Sequence, residues 1–124
     1  MDSSRDYKRA VVDYYRRHLA IPYRGEDTHA TRLKRELVRR YSGKGTRTLS
    51  AGCGAGALEV SFAALSGWSV GLDLTADCLR RYREKLTHVG TGNVSLVNGD
   101  LYNPPFRRGS FDLVYSFGTL YNIR

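Results

Sequence analysis

Gly52, Gly54 and Gly56 fall within five residues directly after a short stretch, 47–51, that reads as a strand, a spacing that lets a ligand approach bare backbone. A Cβ at such positions would collide with the ligand or bar the positive φ angles the turn requires. Asp73 follows Gly52 by 21 residues at the end of an apolar run, where a carboxylate can accept both hydroxyls of a ribose. Gly52-x-Gly54-x-x-Ala57 also satisfies the dinucleotide fingerprint, in which the third small residue is Gly or Ala. These residues point to a cofactor that carries a nucleoside, without separating a nicotinamide dinucleotide from another adenosyl ligand. Cys53 and Cys78 show neither CxxC spacing nor a nearby His cluster, so both read as packing residues and no metal is expected.

The elements that must position these residues follow from periodicity. Tyr7, Val11, Tyr14, Tyr15 and Leu19 recur at helical spacing over residues 6–19, and Pro22 closes the stretch. A second helix is expected to start with Asp27 or Thr28 as its cap, to bury Leu33, Leu37 and Tyr41, and to stop at Gly43. Residues 47–51 read as a strand running into the glycine turn, and residues 57–66 resume helical periodicity with Leu58, Phe62 and Leu65. A second strand over 68–72, a helix over 76–89 ended by Gly90, a third strand over 94–97 and a fourth over 111–115 complete the pattern. Strands alternating with helices at this spacing argue for an α/β fold with a parallel, doubly wound sheet, preceded by two amino-terminal helices. The predicted division is a helical cap over 1–45 and a cofactor-binding domain over 46–124.

Length and charge narrow the function classes. The 124 residues suffice for one domain with a modest core. No apolar run approaches the roughly 20 residues that span a bilayer, and the charged start lacks the apolar centre of an export signal, so a cytoplasmic, reducing setting is expected. Of the net charge of +8, residues 1–47 hold 13 Lys and Arg against 6 Asp and Glu. A basic amino-terminal region can steer nucleic acid or another polyanion, though alternation with apolar positions such as Leu33, Leu37 and Val38 also describes an ordinary solvated helix face.

Four stretches taken together resemble a known family. They are Thr48-Leu49-Ser50-Ala51-Gly52-Cys53-Gly54-Ala55-Gly56, Val70-Gly71-Leu72-Asp73-Leu74-Thr75, Asn98-Gly99-Asp100-Leu101 and Ser110-Phe111-Asp112-Leu113-Val114-Tyr115-Ser116. In order and spacing they resemble the cofactor motifs of class I, Rossmann-like S-adenosylmethionine-dependent methyltransferases over about residues 46–121. The nicotinamide reading has no place for the fourth stretch and does not account for two helices ahead of the first strand.

The resemblance implies S-adenosylmethionine as cofactor and S-adenosylhomocysteine as product. It implies that Ala51, Gly52, Cys53, Gly54 and Gly56 lie against the methionine part, that Asp73 holds the ribose, and that Leu74 packs on the adenine. By the same resemblance Asp100 accepts from the adenine amino group, the Leu101 backbone reaches a ring nitrogen, and Ser116 and Phe117 approach the methionine moiety. Members of the family usually carry Asp or Glu where this chain has Ser50; Glu59 is a possible substitute, although an ordinary solvated helix residue fits the pattern there too. Asp112 reads as a structural mark. No general base is assigned: His18, His29 and Tyr121 are candidates that also read as surface or packing residues. Residues 14–29, with Tyr14, Tyr15, Tyr23 and Arg24, are expected to act as a lid.

The resemblance further implies seven strands, the order 3-2-1-4 being continued by 5, 7 and 6, while the chain stops after the fourth. A truncated product is therefore expected, its edge strand covered by self-association or by an absent carboxy-terminal half. Three functions fit: methyl transfer to a small molecule, methyl transfer to nucleic acid through the basic helices, or a non-catalytic, cofactor-binding module that needs a partner.

Overall fold

The computed structural model describes residues 3–18, 29–62 and 65–117. Expectations placed on Leu19, Tyr23, Arg24, Asp27, Thr28 and Tyr121 lie outside those residues, as do the side chains of Tyr15 and His18. In chain order the elements are α1 (Ser3–His18), α2 (His29–Tyr41), β1 (Arg47–Ala51), a 3-10 turn (Glu59–Ser61), β2 (Trp68–Asp73), α3 (Ala76–Val89), β3 (Val94–Asn98) and β4 (Leu113–Tyr115). The four strands are parallel, as the alternation of elements implied, and stand in the order β3-β2-β1-β4 that the family resemblance implied.

The two central strands, β1 and β2, are buried over all but their ends, which suits a parallel sheet, while β3 and β4 at the edges are half-buried. On one face Cys53, Leu79, Tyr82 and Leu86 pack with Val60, Val94 and Leu96, so α3 covers β2 and β3. On the other, Leu49, Val70 and Leu72 meet Val97, Leu101, Phe106 and Phe111, so the loop after β3 supplies the cover. Burying a side chain such as Leu72 or Phe62 completely stabilises the fold by about 2 kcal/mol. Buried hydroxyls satisfy one another: Thr48 Oγ1 lies 2.9 Å from Ser69 Oγ and 3.2 Å from Ser66 Oγ.

α3 spans the residues its periodicity predicts. Gly90 adopts φ 78° and donates its N–H to the Leu86 carbonyl, the left-handed stop that glycine provides most cheaply. β4 begins at Leu113, two residues later than expected, because the residues before it are engaged otherwise. Phe111 meets Phe106 edge to face at 5.0 Å, and Asp112 accepts from the Arg47 backbone N–H and guanidinium. That pairing ties the starts of β1 and β4 and sets the register Thr48↔Leu113.

Two helical expectations are corrected. After the glycine turn the chain makes a 3-10 turn at Glu59–Ser61 rather than a continuous helix over 57–66. The Ser61 hydroxyl bonds back to the Leu58 carbonyl at 2.7 Å, competing with helix propagation. α2 forms where expected but turns its other side inward: Leu33, Leu37 and Tyr41 are 52%, 49% and 62% exposed, while Val38 is 2% exposed. Its inner side is held by Lys34 over the Phe117 ring and by Arg35 donating to Ser61 Oγ. Among the described residues no helix is long and apolar enough to cross a membrane.

Candidate functional site

The pairings Ala51↔Leu72 and Asp73↔Asn98 bring the glycine turn, Asp73 and the Asn98-Gly99-Asp100 segment to one rim of the sheet, at the carboxyl ends of the strands. Ligands of open α/β sheets gather at such a rim. The turn is pinned from below: Gly52 N and Cys53 N donate to the Leu72 carbonyl at 2.8 and 3.1 Å, and Gly54 N donates to Asp73 Oδ1 at 3.0 Å. The other Asp73 oxygen accepts from Thr75 N at 2.9 Å at the start of α3. Asp73 therefore couples the glycine turn to α3, and burial raises its pKa above the ordinary carboxylate value. The Asn98 amide bonds the carbonyls of Asp73 and Leu74 at 3.0 Å each, which brings the β3 exit alongside β2 and places Asp100.

These residues enclose a cavity of about 410 Å³, within the roughly 300–1,000 Å³ range of small-molecule sites. Of the residues predicted for the site, Gly52, Cys53, Gly54, Asp73, Leu74, Asp100, Leu101 and Phe117 line it. Ala51, Gly56 and Ser116 do not. Ala51 is buried at the end of β1, and Gly56 faces Tyr82, beneath the turn. The Ser116 hydroxyl is buried with no hydrogen-bond partner among the described residues.

The sequence reading missed part of the wall. Tyr7, Lys8 and Val11 of α1 close one side, and Lys8 pairs with Asp100 while lying 5.1 Å from the Tyr102 ring centre. The Lys8 ammonium holds the Asp100 carboxyl below the usual range. The cover is therefore made by the first turns of α1, whereas Tyr14, expected in the lid, is exposed. His29, a candidate base, is exposed at the start of α2 and is not part of the wall. The helical spacing of Tyr7 and Val11 was the available signal; nothing local in the sequence indicates that Lys8 reaches a carboxylate 92 residues away.

Glu59 is the largest departure from its solvated reading. It is 8% exposed, lines the cavity beside the glycine turn, and is pushed up to about 7 by burial. Both cysteines also border this cavity, buried and free. Burial raises Cys53 far above its ordinary value and pushes Cys78 up to about 11, so both are thiols at neutral pH.

Residues 48–124 match the family described as methyltransferase domain. The chain belongs to the methyltransferase domain family. Solved structures agree on the fold of this methyltransferase domain. Phosphoethanolamine N-methyltransferase 1 of Haemonchus contortus, solved with phosphoethanolamine and S-adenosylhomocysteine, has a TM-score of 0.71 at 18% identity, over 89% of this chain and 25% of that one. An rRNA methylase of Streptococcus thermophilus has a TM-score of 0.65 at 15% identity, over 73% and 51%. The YcgJ protein of Bacillus subtilis has a TM-score of 0.64 at 24% identity, over 71% and 37%. The methyltransferase domain thus spans between a quarter and a half of the length of these chains. No curated protein matches it.

The buried Glu59 makes the stability of the methyltransferase domain depend on pH. Its folded pKa lies above the ordinary 4.5, so the neutral carboxyl favours the fold; that contribution is complete below about pH 4.5 and is lost as pH rises through about 7. The full swing is on the order of 3 kcal/mol. Glu59→Gln is therefore expected to melt several degrees above the parent protein at pH 8 and together with it at pH 4.5. Asp73, shifted in the same direction, leaves a residual slope in the variant. Coincident melting curves at pH 8 would show that Glu59 is solvated after all.

Proposed function

We propose that this chain is the cofactor-holding part of an S-adenosylmethionine-dependent methyltransferase acting on a small-molecule acceptor. The observation that carries this reading is the convergence of the glycine turn, Asp73 and Asp100 on one cavity. The donor set suits an adenosyl group: two carboxylates for hydroxyl and amino hydrogens, Leu74 and Leu101 as apolar walls, and open space beside Gly54, where a Cβ would meet nothing within 4 Å. When bound, S-adenosylmethionine would supply an activated methyl group, whose carbon would bond to the acceptor as its bond to sulfur breaks, leaving S-adenosylhomocysteine.

In this reading Asp73 accepts the ribose hydroxyls with the lone pairs that Gly54 N and Thr75 N leave unused. Asp100 accepts the adenine amino hydrogens, and Leu101 presents its backbone to the ring. Gly52, Cys53 and Gly54 offer bare backbone to the methionine part, while Ala51 and Gly56 act through the shape of the turn. Phe117 and the Ser116 hydroxyl, which has no partner among the described residues, are assigned to the methionine side. Tyr7, Lys8 and Val11 exclude water from above, and holding the two reacting atoms in line supplies several kcal/mol of barrier lowering. The acidic, roofed cavity within a basic chain suits a small acceptor, and the two buried free thiols agree with a cytoplasmic setting.

Calorimetry with S-adenosylmethionine, S-adenosylhomocysteine and NAD tests this directly. Binding of the first two and not the third is expected, and a preference for NAD would overturn the assignment. The exposed Arg32, Arg39 and Arg40 of α2 favour a second reading, in which the acceptor is nucleic acid. That reading requires salt-sensitive oligonucleotide binding, and silence at low salt removes it.

A further inference from the structure

We propose that Glu59 receives the α-ammonium group of the cofactor's methionine tail, with the Ser50 hydroxyl as its supporting donor. The inference rests on the S-adenosylmethionine reading above and assigns the cavity's third carboxylate. Glu59, Asp73 and Asp100 all line the cavity of a chain whose net charge is +8, and among the described residues Lys8 is the single cation in the wall. Lys8 is taken by Asp100, and Asp73 is committed to the amides of Gly54 and Thr75.

Glu59 is held by neutral donors only: the Ser50 hydroxyl and the backbone amides of Leu58 and Glu59 itself. The charge of Lys85 on α3 acts on Glu59, but that ammonium donates to the Ala55 carbonyl at 2.8 Å. Among the described residues no ion pair closes on Glu59. A carboxylate sunk this deep without a counter-ion is costly, and a ligand ammonium beside the glycine turn supplies one.

The remaining groups around it leave the charge balance to the ligand. Cys53 from the turn, Tyr82 from α3 and Tyr115 from β4 face Glu59, and burial raises all three, so they are neutral near pH 7. Lys85 is the charged group that acts on Glu59, and the carboxylates of Asp73 and Glu59 both raise Cys53. Ionisation of Glu59 is therefore the event that follows arrival of a cation. In this reading the adenosyl half is held by Asp73 and Asp100, which makes the role of Glu59 separable from theirs.

The experiment is calorimetry on the parent chain and on Glu59→Gln at pH 6 and 7.5, with S-adenosylmethionine, S-adenosylhomocysteine and 5′-methylthioadenosine, which lacks the amino-acid tail. At pH 7.5 the substitution is expected to weaken the two tailed ligands by about 10-fold or more and 5′-methylthioadenosine by less than about 2-fold. In the parent chain the affinity for S-adenosylmethionine relative to 5′-methylthioadenosine should fall severalfold between pH 7.5 and pH 6. In the variant that ratio should be flat. Equal losses for tailed and tail-less ligands, or no loss at all, would overturn the assignment while leaving the cofactor reading intact. A parent chain that binds none of the three overturns both. Circular dichroism verifies the variant's fold; should it fail, the parent's pH profile decides, a flat ratio counting against Glu59.

Discussion

Asp73→Ala is expected to weaken S-adenosylmethionine binding by about 100-fold or more. A hydrogen bond to a charged acceptor contributes about 1.5–3 kcal/mol, and two ribose hydroxyls would each lose one. The same substitution frees Gly54 N and Thr75 N, whose bonds of 3.0 and 2.9 Å hold the glycine turn against the start of α3. Loss of binding would therefore combine lost contacts with a loosened turn. Asp73→Asn separates the two, since an amide keeps the shape and one acceptor but neither the charge nor the second acceptor. It should fall between the parent and the alanine variant. Melting curves taken alongside show how much of the turn survives, and an unchanged Kd in Asp73→Ala would remove the ribose contact from the mechanism.

Gly56→Ala is expected to produce the largest loss of stability of any single methyl addition in the turn. The new Cβ would lie 2.1 Å from Tyr82 Cδ2 and 2.3 Å from Cγ, and Gly56 holds φ 68°. The Tyr82 ring cannot step aside, because it is buried among Cys53, Leu79 and Leu86 and passes close to Gly71. Overpacking costs about 1–3 kcal/mol and the left-handed backbone a further 1–2, a total of about 4 kcal/mol against a typical domain stability of about 5–15. Urea unfolding measures it. Gly54→Ala provides the contrast, having φ 58° but nothing within 4 Å of its Cβ. That variant should keep its fold, losing roughly 1 kcal/mol to backbone strain, and lose ligand affinity instead. If Gly56→Ala unfolds at the parent's urea midpoint, the packing of Tyr82 under the turn is wrong.

Much of this architecture was legible in the order of residues because it is encoded locally. The parallel pairing follows from strands alternating with crossovers, the order β3-β2-β1-β4 from the resemblance to the family, and the ends of α3 from its apolar spacing and Gly90. The turn at residues 52–56 and Asp73 were marked by glycine spacing and by the step from an apolar run to an acid, and Asp100 by the resemblance of its stretch to a family motif. Such signals need only a residue and its near neighbours, since turn chemistry and period act over a few positions.

What only the tertiary structure decided was the company each side chain keeps. Helical spacing on α2 marked Leu33, Leu37 and Tyr41 as an apolar stripe, yet contacts with Phe117 and Ser61 turned Val38 inward instead. Lys8 met Asp100 only because α1 folds across the rim. Glu59 read as a solvated charge because no local pattern distinguishes an acid facing water from one facing Ser50, Tyr115 and Lys85, which arrive from two strands and a helix. Periodicity specifies which residues share a face, whereas burial of a charge depends on groups far away in the chain, and those meet only once the sheet has brought its strand ends together.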